Sequence, residues 1–321
     1  METGKKKIVF IINPIAGVRN KKRLEKKIDK FFSGGDYEVI KHYTSYPSHA
    51  VDIAACYAKA EPTFIVAVGG DGTINEIARS LINTGSTLGV IPLGSGNGFA
   101  RHFNLPFIHD KALEVLLNGN EITVDVGFLN GKPFFCTAGI GFDAETGYQY
   151  NNYSYRGFIS YALSFAKVFS WYQARDYKLE IDGEPYNFKA FFITIANISQ
   201  FGYNFYVAPN ASTLDGFFDV VVVKKFPKWM ASLIAFRSFF GTIQNSRYVW
   251  HKQAHNVRII SPDTEKIIHI DGEAGIMNGV LEYQIQKAAL KVVVNKEGAG
   301  MPFLTAFQRI KKTDNKDSAK G

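Results

Sequence analysis

Cysteine is nearly absent from this sequence. The two copies, Cys56 and Cys136, stand far apart and in no metal-ligand spacing. No disulfide scaffold is needed, and a reducing, cytoplasmic setting is expected. Also missing is any uncharged apolar run of about 18 residues, the minimum for a membrane-spanning helix. The stretch Ile8 to Asn13 behind Lys5-Lys6-Lys7 is too short for a secretory signal core and lacks a small-residue cleavage site. It reads instead as a buried first strand. There are no internal repeats. Acid is in short supply: 29 Asp and Glu face 37 Lys and Arg, a net charge of +8. Such a surplus favours anionic partners such as nucleotides, nucleic acid or acidic lipid headgroups, and does not choose among them. Part of it sits in Lys5 to Lys7, Arg19 to Lys27 and the tail after Gln308, where solvated helix faces and a frayed end account for it.

With 321 residues, 46% of them hydrophobic and 21% charged, the chain is globular and long enough for two domains. Apolar strand-like runs at Lys7–Ile12, Tyr37–Tyr43, Phe64–Val68 and Thr87–Ile91 alternate with helical patterns at Lys21–Phe32, His49–Ala60, Asn75–Ile82 and Asp110–Leu117. That alternation predicts a doubly wound α/β domain over 1–125. Near residue 122 the pattern changes. Strands with short turns follow, at Ile122–Phe128, Pro133–Ala138, Tyr177–Ile181, Tyr186–Ala196, Phe218–Lys224, Asn256–Ser261, Lys266–Ile270 and Ala288–Val294. Asn130-Gly131 and Asp182-Gly183 are hairpin signals. A mostly antiparallel β-sandwich domain is therefore expected over 126–300. Two aromatic-rich helices interrupt it, Gly157–Tyr172 and Pro227–Tyr248. They pack against the sandwich or, with Lys167, Lys225, Lys228 and Arg237, present a face to a membrane. A last helix within 301–312 is expected to return to the first domain, ahead of a disordered tail at 313–321.

The sharpest signal is Gly69-Gly70-Asp71-Gly72-Thr73-Ile74-Asn75-Glu76, which follows a buried strand and opens a helix. Glycines let the backbone approach a ligand, and the free N–H groups at the helix start favour phosphate. The segment is neither a Walker A loop nor the dinucleotide fingerprint. Asp71 would hold Mg²⁺ on nucleotide phosphates, orient a reacting group, or simply cap the helix. The segment Gly94-Ser95-Gly96-Asn97-Gly98-Phe99-Ala100-Arg101 repeats the design after the next strand, with Arg101 a phosphate partner or a plain surface residue. Asn13-Pro14-Ile15-Ala16-Gly17 supplies a third turn, at the end of the first strand. Loops at the ends of neighbouring parallel strands point into one crevice.

These segments, with Gly139-x-Gly141-x-Asp143, Asp215-Gly216-x-Phe218-Asp219 and Asp271-Gly272-Glu273, resemble the diacylglycerol kinase catalytic-domain family, which includes sphingosine, ceramide and bacterial lipid kinases. They fall in family order and cover nearly the whole chain. The resemblance implies an α/β nucleotide domain and a β-sandwich domain, with the active site in the cleft between them. It implies ATP held by Asn13, Pro14 and Gly17, by Thr44, by Gly69, Gly70, Asp71, Gly72, Thr73 and Asn75, and by Gly94, Ser95, Gly96 and Asn97, with Mg²⁺ carried on the nucleotide. It implies a structural Mg²⁺ at Asp215 with backbone oxygens of Ser212 and Phe217, where a simple turn is the competing reading. It implies that Asp271 is the general base, with Asp71 its rival and Glu273 a Mg²⁺ or nucleotide partner. The partner would be a lipid substrate reached by peripheral contact with a membrane; a homodimer is admitted but not required. By residues alone, Asp-Gly-Glu is an ordinary β-turn.

Three other functions compete with this reading. An enzyme similar to NAD kinase shares the Gly-Gly-Asp-Gly element but not the lipid-kinase set around Gly94–Asn97 and Asp271–Glu273. A catalytically silent lipid-binding protein would be expected to lack Asp71, Asp271 or the glycines, and all are present. Nucleic-acid binding lacks a recognisable module and the basic–aromatic interleaving on strands that such modules carry.

Overall fold

The computed structural model describes residues 5–17, 21–34, 36–59, 64–151 and 158–296. The expected helix within 301–312 and the tail at 313–321 lie outside the described residues. In chain order the elements are β1 (Lys6–Ile12), α1 (Lys21–Phe31), β2 (Tyr37–Tyr43), α2 (His49–Ala58), β3 (Phe64–Gly69), α3 (Asp71–Leu81), β4 (Thr87–Pro92), α4 (Gly98–His102), α5 (His109–Asn118) and β5 (Asn120–Leu129). Then come β6 (Lys132–Phe134), β7 (Thr137–Gly141), α6 (Phe142–Asn151), α7 (Phe158–Trp171), β8 (Arg175–Ile181), β9 (Glu184–Ala196) and β10 (Phe218–Lys224). The chain continues with α8 (Ala231–Phe239), β11 (Val249–Ala254), β12 (Asn256–Ile260), β13 (Glu265–Ile270), β14 (Glu273–Asn278) and β15 (Leu281–Val294).

The chain divides into two compact units. The first runs to Val126 and takes the chain back from Lys287; the second spans Gly127–Gln286. The reading of 126–300 as one domain is corrected here, because the end of β15 pairs with β4, Lys291 beside Thr87 and Val292 beside Leu88. That strand was expected to begin at Ala288 and instead begins at Leu281.

In the first unit the parallel order is β15-β4-β3-β1-β2. Strands β3 and β4 are almost wholly buried, as befits strands covered on both faces. Helix α2 packs on α3, and Ser80 Oγ donates to the Val51 carbonyl between them. Helix α1 packs on α5, joined by Lys27 and Asp110 at 2.6 Å. The registers Ile12 with Val68 and Gly69 with Pro92 show that β1, β3 and β4 end side by side. Their three following loops therefore leave one edge of the sheet.

The second unit is an antiparallel β-sandwich with order β14-β13-β7-β9-β8-β12-β15, and β10 lies between β9 and β11. Its core joins Phe134, Ile140, Ile193, Ile195, Phe218, Val220, Val222 and Tyr283. Both expected hairpin turns form with positive φ, Asn130-Gly131 at 45° and 79° and Asp182-Gly183 at 49° and 85°. The expected strand Pro133–Ala138 breaks at Phe135-Cys136, whose N–H groups turn to Asp271. The expected helix Pro227–Tyr248 is also broken. It keeps only Ala231–Phe239 as α-helix, and Gly241 at φ 62° turns the chain toward β11. Helix α7 packs inward through Val168 and Tyr172 against Phe142 and Phe191.

Ile193 is fully buried in β9, between Ile140 of β7 and Val222 of β10. Replacing it with Ala leaves a cavity and is expected to cost about 2–5 kcal/mol. The check is urea unfolding: the midpoint falls while the slope stays that of the wild type.

Candidate active site

Strand β3 delivers Gly69 and Gly70 to the start of α3. Gly70 occupies the N-cap position and has no side chain to cap the helix. The first intrahelical bond runs from the Ile74 N–H to the Gly70 carbonyl at 3.0 Å. The N–H groups of Asp71, Gly72 and Thr73 therefore have no backbone carbonyl partner within the helix, the usual state of a helix N-terminus. Glycine is required here by space. A Cβ on Gly69 would lie 2.5 Å from Thr73 Oγ1, and one on Gly94 would lie 2.7 Å from the Gly70 Cα. The two glycine turns touch backbone to backbone. The Leu93 N–H donates to the Gly69 carbonyl at 2.8 Å and binds them together.

The third turn closes on the other two. Asn13 Nδ2 donates to Thr73 Oγ1 at 3.0 Å, and Asn13 Oδ1 accepts from the Ile15 N–H at 3.1 Å. Gly17 has φ 63°, and a Cβ there would stand 2.5 Å from the Leu93 carbonyl oxygen. The result is a cleft of about 600 Å³ lined by Asn13, Ala16, Gly17, Gly70, Gly72, Thr73, Pro92, Leu93, Gly94, Ser95 and Phe107. Sequence reasoning missed Phe107. It also missed Lys21, whose Nζ donates to the Ala16 carbonyl and whose pKa burial lowers.

Asn97 and Asp71 shape the second loop. Asn97 adopts φ 50° and donates from Nδ2 to the Gly94 carbonyl; its Oδ1 is buried without a hydrogen-bond partner. The Asp71 carboxylate points to the start of α4, where the Phe99 N–H donates at 3.4 Å. Burial raises the Asp71 pKa, against the N–H groups of Phe99, Asn97 and Gly98, which lower it. Asp71 thus caps α4, while its carboxylate also faces its own N–H at the start of α3. Arg101 braces the same loop: its Nε donates to the Gly96 carbonyl at 2.9 Å, and its guanidinium lies 4.8 Å from the centre of the Phe107 ring. Of the remaining expected nucleotide residues, Pro14 is exposed, Asn75 sits one turn along α3, and Thr44 directly follows β2 with its N–H on the Ile12 carbonyl at 3.0 Å.

In the second unit, Asp271-Gly272 is the two-residue turn between β13 and β14, with φ 48° and 85°. The residues-only reading of a β-turn is therefore correct as geometry. The Asp271 carboxylate also accepts three backbone N–H groups, from Phe135 at 2.9 Å, Cys136 at 2.7 Å and Thr137 at 3.1 Å. Its own N–H donates to the Thr137 carbonyl at 2.8 Å. Two residues back, His269 is buried, and its Nε2 lies 3.0 Å from Asp143 Oδ2, which also accepts from Thr194 Oγ1 at 3.0 Å. His269 carried no sequence signal of its own. Glu273 is exposed at the start of β14.

Asp215 sits in a tight loop ahead of β10. Its Oδ1 accepts from the Phe217 N–H at 3.0 Å and its Oδ2 from Gln253 Nε2 at 3.2 Å; Ser212 Oγ accepts from the Leu214 N–H at 3.2 Å. Oxygen donors suit Mg²⁺. As it stands, however, the loop offers one carboxylate folded onto its own backbone. Among the described residues, no three His, Cys, Asp or Glu side chains gather as an ion cage.

The diacylglycerol kinase catalytic domain family matches residues 7–129, and the family described as YegS C-terminal NAD kinase beta sandwich-like domain matches residues 136–294. A diacylglycerol kinase of Bacillus subtilis (strain 168) is 31% identical over 280 residues, covering 85% of this chain and 91% of that protein. The chain belongs to the diacylglycerol kinase family. A second member, from Staphylococcus aureus (strain MRSA252), is 28% identical over 91% of this chain and 95% of its own length. The crystal structure of a diacylglycerol kinase from Bacillus anthracis str. Sterne shares the fold, with a TM-score of 0.71 at 21% identity over 93% of this chain and 100% of that one. Membership makes the chain a kinase with an alcohol group as acceptor.

A raised carboxyl pKa means that the folded chain holds the Asp71 proton more tightly than the unfolded chain does. The stability this gives is present at low pH and is lost as pH rises through the folded pKa. Wild type is therefore expected to lose ground to Asp71→Asn between pH ~4, the ordinary carboxylate range, and neutrality. Urea midpoints of both proteins across that range check it; a constant gap would refute the raised pKa.

Proposed function

We propose that the chain transfers the γ-phosphate of ATP to a hydroxyl of a diacylglycerol-like or sphingoid lipid at a membrane surface. The observation that carries this reading is the pair of glycine turns in backbone contact beside the N-terminus of α3. A cleft floored by backbone, with N–H groups and a helix end turned to it, suits a polyphosphate and excludes bulkier side-chain chemistry. Mg²⁺ on the nucleotide phosphates would neutralise developing charge there. No carboxylate cage is needed for it, because Mg²⁺ commonly binds through phosphates and water. A structural Mg²⁺ at Asp215, with backbone oxygens of Ser212 and Phe217, rests on the resemblance alone.

Asp271 is the proposed proton acceptor. Its rival is Asp71, whose carboxylate likewise accepts a backbone N–H, from Phe99 at 3.4 Å. A free Asp has a pKa of ~3.9, so it cannot ionise an alcohol beforehand. It would accept the proton late, as the new P–O bond forms in a loose transition state. The backbone N–H groups of Phe135, Cys136 and Thr137 fix the carboxylate in one orientation, as a positioned base requires. Glu273 would serve as the Mg²⁺ or nucleotide partner beside it.

The direct test is phosphate transfer from labelled ATP with Mg²⁺ to mixed micelles of diacylglycerol, monoacylglycerol, sphingosine and ceramide, with NAD as a soluble control. Labelled lipid supports the reading; label on NAD alone refutes it. Asp271→Asn is expected to lower kcat by about 10²-fold or more while ATP affinity stays within about twofold. Asn places an N–H donor among three backbone donors, so a lower unfolding midpoint accompanies the loss. Normal turnover in this variant would remove Asp271 from the base role.

A further inference from the structure

The cleft beside the glycine turns has room for a polyphosphate but carries no full charge of its own. Among the described residues that line it, none has a charged side chain. Backbone N–H groups and a helix end supply partial charges only. A nucleoside triphosphate with one Mg²⁺ bound is still an anion, and a cation within hydrogen-bond reach of its phosphates would hold it far better. Arg101 and Lys21 both stand next to the cleft. Arg101 is engaged in the second loop, with its Nε on the Gly96 carbonyl at 2.9 Å and its guanidinium 4.8 Å from the centre of the Phe107 ring. Lys21 is placed differently.

Lys21 opens α1, and its Nζ donates to the carbonyl of Ala16, a residue of the cleft wall. An ammonium has three N–H groups, so this bond leaves two. Among the described residues no Asp or Glu pairs with Lys21, whereas Lys27 on the same helix has Asp110 and Lys41 has Asp29. Burial, with no acid to offset it, lowers the Lys21 pKa. Its position is also unfavourable. The first turn of α1 holds Lys21, Lys22 and Arg23 and no acid. Cations there oppose the positive end of the helix dipole. A part-buried cation, without an acid, at the wrong end of a helix destabilises the free protein. A bound anion reverses each of these costs.

We propose that Lys21 is the cation that holds the phosphate chain of the nucleotide from the Asn13–Gly17 side of the cleft. The inference rests on the ATP reading and adds to it a residue outside the glycine turns. One N–H stays on the Ala16 carbonyl and keeps the ammonium at the wall, and the others donate to phosphate oxygens. Charge that gathers on those oxygens during transfer then meets a cation already in place.

The experiment titrates the full chain by calorimetry with ATP and with inorganic tripolyphosphate, each with Mg²⁺. Lys21→Gln keeps a donor for the Ala16 carbonyl and removes the charge. It is expected to weaken both ligands at least about tenfold, with a smaller loss in Lys21→Arg. Lys30→Gln takes the same charge from the last turn of α1 and is expected to bind both ligands as wild type does. Without ligand, Lys21→Gln is expected to unfold at the wild-type urea midpoint or above it, because the lost cation opposed the helix dipole. A fixed concentration of ATP then raises that midpoint less than it raises the wild type's. Wild-type affinity for tripolyphosphate in Lys21→Gln, or an equal loss in Lys30→Gln, overturns the proposal. So does a lower ligand-free midpoint with an unchanged response to ATP, the signature of a clamp on Ala16 and nothing more. Loss of both ligands in Lys21→Gln, with no lipid labelled by wild type, upholds Lys21 and counts against the lipid-acceptor reading. Labelled lipid, with ATP affinity unchanged in Lys21→Gln, does the reverse.

Discussion

The contact between Gly70 and Gly94 is the constraint on which the cleft depends. Glycine is required at position 94, where a Cβ would lie 2.7 Å from the Gly70 Cα, and a Cβ on Gly70 would press on the Gly94 Cα at 3.2 Å. The parallel register of β3 and β4 brings the two turns level, Gly69 beside Pro92. The Leu93 N–H then locks them together, and the Asp71 carboxylate holds the start of α4 from below. Asn13 ties in the third turn through Thr73. Any side chain at the contact would part the turns and fill the space in which a phosphate group fits.

The second unit solves a different problem. A base of the kind proposed for Asp271 must be held still, and a hairpin tip is ordinarily loose. Here the tip carries Asp271 in left-handed geometry, and three N–H groups from the break between β6 and β7 grip its carboxylate. The buried Asp143–His269 pair fastens β13 one step behind. The break in the expected strand at Phe135-Cys136 is thus the feature that supplies the donors.

Local physics explains which parts were legible. Short all-apolar runs ending in glycine marked β3 and β4, and Asn-Gly and Asp-Gly marked two hairpins, because those signals lie within a few residues. The motif helix was expected from Asn75 yet begins at Asp71, since glycines in a first turn weaken any helical pattern. Helix α6 was missed, because Phe142–Asn151 lacks a clean helical stripe. Partners far along the chain were also invisible. Asp271 meets residues more than a hundred positions earlier, as does His269. The role of Asp71 as a cap for α4 depends on two loops meeting in space, which spacing alone cannot encode.

The most direct measurement of the cleft is amide hydrogen exchange of the wild-type chain with and without Mg²⁺ and ATP. The account predicts slowed exchange at the N–H groups of Gly72, Thr73, Ser95 and Gly96, backbone groups around the two glycine turns, with AMP giving a smaller effect than ATP. Protection confined to other segments, or equal protection by AMP and ATP, would contradict a phosphate-binding role for the paired turns.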